Sequence, residues 1–88
     1  MSLKQQLISP EFIIHPGITL KEYLEEFNIT TLELAKRTSF TINHISRVID
    51  GSKKISKEFA LKLENALGVP AYFWIKLQKN YDVDTTRS

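Results

Sequence analysis

The chain has 88 residues, 42% hydrophobic and 10% aromatic, with a net charge of +2 and no cysteine. That length suits one domain, and it buries only about 60–65% of the unfolded surface, so a partner or dimer contact bears on stability. Lack of cysteine excludes a disulfide framework and a thiolate metal site; no apolar run nears roughly 18 residues and no signal-peptide pattern opens the chain, so a soluble intracellular protein is expected.

Charge is unevenly spread. Residues 1–34 carry Lys4 and Lys21 against five glutamates, whereas residues 35–62 carry seven basic side chains against Asp50 and Glu58. A basic cluster is often only solvated surface, and alone it favours a polyanion partner modestly.

Helical spacing dominates from residue 15 onward, with no sustained strand-type alternation. Residues 1–14 form an N-terminal arm. Its apolar end, FIIH at 12–15, reads as a short extended segment or as an arm on the bundle or on a partner. In HPGITLKEYLEEFN, Leu20, Leu24 and Phe27 recur at helical spacing behind Pro16–Gly17, which predicts a helix over about 17–27. Thr30 or Thr31 caps TLELAKRT, a helix near 31–38 with Leu34 and Ala35 inward. Thr41 caps a helix over 42–50 that Gly51 stops. Ser56 caps KEFALKLENAL, whose Phe59, Leu63, Ala66 and Leu67 share a face and which Gly68 ends. Pro70 suits the first turn of a last helix holding Phe73, Trp74, Leu77 and Tyr81. Residues 83–88 are expected to be a frayed tail. Five helices with short connections make a compact all-α bundle, its domain spanning 15–82.

The stretch TINHISRVIDG carries the chemistry. Ile45, Val48 and Ile49 form a core-facing stripe, and Asn43, Arg47 and Asp50 lie opposite, flanked by Ser46 and His44. Two short helices joined by TSF form a helix-turn-helix unit over about 31–50, which can set its second helix into the DNA major groove. Short donor–acceptor side chains let that helix approach base edges; Asn pairs with adenine and Arg with guanine in bidentate fashion. Lys53, Lys54, Lys36 and Arg37 suit the phosphate backbone. For the helix alone, a merely solvated polar face is an equal reading. The preceding helix, the short turn and the trailing lysines favour DNA.

ELAKRTSFTINHISRVIDG resembles the helix-turn-helix of lambda-repressor and XRE-like regulators. HPGITLKEYLEEFNIT, ISKEFALKLENALGVPAYFW and LQKNYD together resemble HigA-type antitoxins, from about His15 to Asp82. The resemblance implies a five-helix lambda-repressor-like domain, in a dimeric antitoxin of the bacterial cytoplasm and nucleoid. Such a protein neutralises a HigB-type ribonuclease toxin and represses its own operon on double-stranded operator DNA. Family base-reading positions match Thr41, Ile42, Asn43, Ser46 and Arg47; phosphate contacts match Thr31, Asn43, Lys53 and Lys54. Three departures stand out: Thr31 replaces a frequent glutamine, Ser39 replaces the turn glycine, and Ile42 replaces a usually polar residue. Ser39 carries a steric cost if its φ is positive.

His15 and His44 are too isolated for a metal site; His15 reads as the start of a helix and His44 as solvated surface or a phosphate contact. Tyr72, Trp74, Ile75 and Tyr81 are candidates for a dimer or partner interface, with core packing the alternative for Trp74. Glu22, Glu25 and Glu26 form an acidic face, away from DNA and open to a basic toxin. No nucleophile–base or carboxylate pair suits a cleft, so neither catalysis nor a cofactor is expected. Two rivals are a free-standing XRE-type regulator without a toxin and a protein-binding helical adaptor without DNA affinity.

Overall fold

The computed structural model describes residues 14–87, with side chains to Thr85. The expected arm at 1–14 therefore lies almost wholly outside the described residues. Among these, the structure has five helices and no strand: α1 Pro16–Glu26, α2 Thr31–Thr38, α3 Ile42–Ile49, α4 Lys57–Leu67 and α5 Ala71–Arg87.

Each helix begins where a side chain can satisfy its open N–H groups. His15 is extended and its ring Nδ1 accepts from Gly17 N at 3.1 Å, with Pro16 at the first helical position, where a missing N–H costs nothing. Thr30, not Thr31, caps α2 by accepting from Glu33 N at 3.0 Å. Thr41 and Ser56 do the same for α3 and α4, accepting from His44 N and Phe59 N. Glu64 Oε1, reaching from α4, accepts from Ala71 N at the start of α5.

Two connections turn on non-glycine residues in the left-handed region, Asn28 with φ 56° and Ser39 with φ 64°. Asn tolerates this conformation well and Ser less so, which makes the steric cost expected at Ser39 real. Thr38 offsets some of it. Fully buried, it donates to Leu34 O and accepts from Phe40 N, tying the turn to α2.

The core joins all five helices: Leu20 and Leu24, Leu34, Ile45 and Val48, Ile55, Phe59, Ala60 and Leu63, Ala71 and Trp74. α2 packs on α3 and α4, α1 on α3 and α5, and α4 on α5. α1 starts hard against the end of α3: a Cβ on Gly17 would overlap the Val48 carbonyl oxygen, so only glycine fits there.

The structure departs from the sequence pattern at three places. Phe27 is exposed at the end of α1 and rests on the Tyr23 ring instead of entering the core. The expected tail at 83–88 is helical through Arg87, because nothing after Pro70 breaks the helix and Thr85 Oγ1 donates back to Tyr81 O. Trp74 has 0% exposure: it fills the core of its own chain, against Tyr23 and Phe73, and leaves the set of interface candidates.

Candidate nucleic-acid interface

α3 is held by its apolar stripe. Ile45 and Val48 are buried and Ile49 is half-buried, so Ile42, Asn43, Ser46 and Arg47 are left exposed on the remaining arc. Thr41 is exposed at the start of α3 with its oxygen committed to the cap. These five residues come together on one short helix end to end. Asp50 also lies on this arc, but it is spent locally: its Oδ1 accepts from Ser52 N at 2.8 Å and Ser52 Oγ at 2.6 Å. Those hydrogen bonds from Ser52 hold its carboxyl below the usual carboxylate range.

The loop after α3 folds back on that helix. The Arg47 carbonyl accepts from Ser52 N at 2.9 Å and Lys53 N at 3.1 Å, so the basic pair starts directly beneath the exposed arc. Gly51 turns here with φ 89°, its backbone so close to the His15 ring that a Cβ would collide with it. Lys53 and Lys54 are exposed; Lys54 Nζ lies 3.5 Å from Asp82 Oδ2, a weak surface pair.

The remaining phosphate candidates separate. Lys36 is exposed on the last turn of α2, and Thr31 is half-buried in its first turn. Arg37 has another role. Its guanidinium pairs with Glu33 Oε2 at 2.7 Å and donates to Ala66 O at 3.2 Å, stapling α2 to the end of α4. Both contacts are exposed, and the guanidinium keeps further N–H donors, so a phosphate contact would compete with this staple without requiring its loss.

His44 is half-buried, not a fully solvated side chain. It lies against the rings of Phe40 at 4.6 Å and Phe59 at 5.0 Å, with Nε2 buried and without a hydrogen-bond partner among the described residues. Burial lowers its pKa from 6.5, and the Lys53 ammonium lowers it further. On α5, Tyr72 is 73% and Ile75 36% exposed, while Tyr81 is half-buried edge-on to His15.

A helix-turn-helix family, HTH_3, matches residues 20–74, which include α2, α3 and the whole candidate interface. An addiction-module antidote protein of the HigA family from Coxiella burnetii superposes with TM-score 0.78 at 32% identity, covering 82% of this chain and 79% of that one. The chain is a helix-turn-helix protein of the HigA family. The Pseudomonas aeruginosa antitoxin HigA, solved with the higBA promoter, is similar with TM-score 0.79, 31% identity, and coverage of 83% of this chain and 80% of that one. Virulence-associated protein A' of Dichelobacter nodosus is 36% identical over 70 residues, which are 78% of this HigA-family chain and 61% of that protein. Among the described residues no helix is long and apolar enough to cross a membrane, and no group of His, Asp or Glu is arranged to hold a metal ion.

The sequence did not single out Gln78. It is buried between α5 and the basic loop, where Oε1 accepts from Ile55 N at 2.8 Å. Its only sequence signal is its place in LQKNYD, one turn before Asp82.

Proposed function

We propose that this chain is a HigA-type antitoxin, a homodimeric repressor that binds operator DNA through α3 and neutralises a HigB-type ribonuclease toxin. The observation that carries the DNA reading is the exposed arc of Asn43, Ser46 and Arg47, anchored from behind by Ile45 and Val48 and continued into the Lys53–Lys54 loop. Such an arc offers donors and acceptors at base edges, and the lysines supply the sequence-independent attraction to phosphates. Likeness to a HigA solved with its promoter supports the same reading.

In this account Arg47 and Asn43 read bases, with Thr41, Ile42 and Ser46 filling the contact around them. Ile42, exposed at the start of α3, offers its methyl groups to a thymine methyl. Lys53 and Lys54 hold phosphates, assisted by Lys36 and Thr31. The protein does no catalysis, and its place is the bacterial cytoplasm at the nucleoid. The toxin meets a surface away from α3; the acidic side chains of α1, Glu22, Glu25 and Glu26, are exposed and of the sign a basic partner requires.

Footprinting of the DNA upstream of its own gene tests the DNA reading, and co-purification with the product of the adjacent gene tests the toxin. Two protected half-sites about 34 Å apart, or a multiple of that, are expected. An unprotected upstream region with a stable toxin complex would leave an antitoxin that is not an autorepressor.

A further inference from the structure

We infer that Gln78, on α5, is a positioning residue for DNA binding: it fixes the loop after α3 from behind and thereby aims Lys53 and Lys54. The inference rests on the phosphate-contact reading of those lysines. Gln78 is 8% exposed and, with Thr38, one of two buried polar side chains among the described residues. Burying an amide is unfavourable unless both of its ends are paired, and here both are. Oε1 accepts from Ile55 N at 2.8 Å, and Nε2 donates to Asp82 Oδ1 at 2.9 Å.

The orientation of the amide follows from its partners. A carboxylate only accepts, so Nε2 must face Asp82, which turns Oε1 toward the Ile55 N–H. The loop is thus held at both ends: Ser52 N and Lys53 N on the Arg47 carbonyl, and Ile55 N on Gln78. Lys53 is itself at the first anchor, and Lys54 lies between it and the second. Asp82 Oδ2 stands 3.5 Å from Lys54 Nζ, and one residue before it Tyr81 sits edge-on to His15, whose ring packs under Gly51. Gln78, Tyr81 and Asp82 are successive positions on one face of α5, and all three meet the loop or its support.

A side chain that only stabilised the fold would affect DNA binding equally whether or not the lysines were present. One that positions the loop acts through them. Gln78→Met keeps the length of the side chain and removes both hydrogen bonds. Its affinity for a mixed-sequence duplex should be measured across salt concentrations at which circular dichroism shows it folded. The affinity at low salt should fall about tenfold, and the slope against log salt should flatten toward that of Lys53→Ala with Lys54→Ala. Added to that lysine pair, Gln78→Met should change affinity less than about twofold. An unchanged slope, or an equal loss in the lysine-free background, overturns the inference and leaves Gln78 structural.

If Gln78→Met does not fold, amide exchange in the unsubstituted chain decides. The Ile55 amide should exchange as slowly as those inside α4, and exchange at an open-loop rate overturns the inference. If the unsubstituted chain shows no salt-dependent binding to the duplex at all, the DNA reading itself fails and this inference falls with it.

Discussion

Arg47 works at both ends. Its carbonyl collects the N–H groups of Ser52 and Lys53, and its guanidinium is exposed on the outward arc of α3. Arg47→Ala should keep the first and lose the second, costing about 1–3 kcal/mol of operator binding and relaxing preference at one base pair. Quantitative footprints on single-base operator variants check this; an unchanged preference at every position would take Arg47 out of the reading set. His44 makes the opposite case, a half-buried polar side chain whose ring lies against the edge of the core. In the folded chain its pKa is lowered from 6.5, by burial first and the Lys53 ammonium second. As pH falls below about 6.5 the unfolded chain takes up the proton before the folded one does, so stability should decline from there toward the depressed folded-state pKa. His44→Phe removes that proton site and the unpaired Nε2, and should stabilise the chain by about 1 kcal/mol at neutral pH. Denaturant midpoints measured between pH 7 and 5 check both parts, and a variant that declines with acid as the unsubstituted chain does would assign the effect elsewhere. The exposed arc of α3 was legible in sequence because helical periodicity alone separates it from Ile45 and Val48. The environment of His44 was not, because Phe59 reaches it from another helix.

Among the elements, starts were easier to read than ends. Thr41 and Ser56 cap through the N–H three residues on, a local rule, so both caps follow from residue type and position. The end of α1 depends on Asn28 entering the left-handed region, for which asparagine is a weaker signal than the glycine that ends α4. Of the two partners of Gln78, Asp82 is one helical turn on, but Ile55 is 23 residues away, beyond any periodic signal. The turn between α2 and α3 offers a clear test. Ser39 has φ 64°, where a Cβ is unfavourable, and its side chain is exposed. Ser39→Gly should relieve that strain and stabilise the fold by about 0.5–1 kcal/mol, since relief exceeds the entropy that glycine adds to the unfolded chain. Thermal unfolding checks it; a lower melting temperature would mean that the left-handed serine is not strained.

At the scale of the whole molecule, the aromatic residues of α5 are mostly used within the core or at its edge: Trp74 is enclosed, and Phe73 and Tyr81 are half-buried. What α5 leaves outside is Tyr72 and Ile75 in its first half and Val83 near its end. We place a dimer contact at Tyr72 and Ile75, because one helix-turn-helix unit reads only a few base pairs and tight operator binding needs two. Ile75→Lys should yield monomers on sedimentation with an unchanged helical spectrum and much weaker operator binding; dimers that persist would move the joint to another face. The central claim is that α3 reads DNA while the loop behind it grips phosphates. The most direct test compares, across salt concentrations, binding of the unsubstituted chain and of Lys53→Ala with Lys54→Ala to the upstream duplex and to a mixed-sequence one. The account predicts that the unsubstituted chain prefers the upstream duplex at least about 1,000-fold, and that the variant keeps the preference while its salt slope falls by about two units on both duplexes. Equal affinity for the two duplexes, or a variant that loses the preference at an unchanged slope, would contradict it.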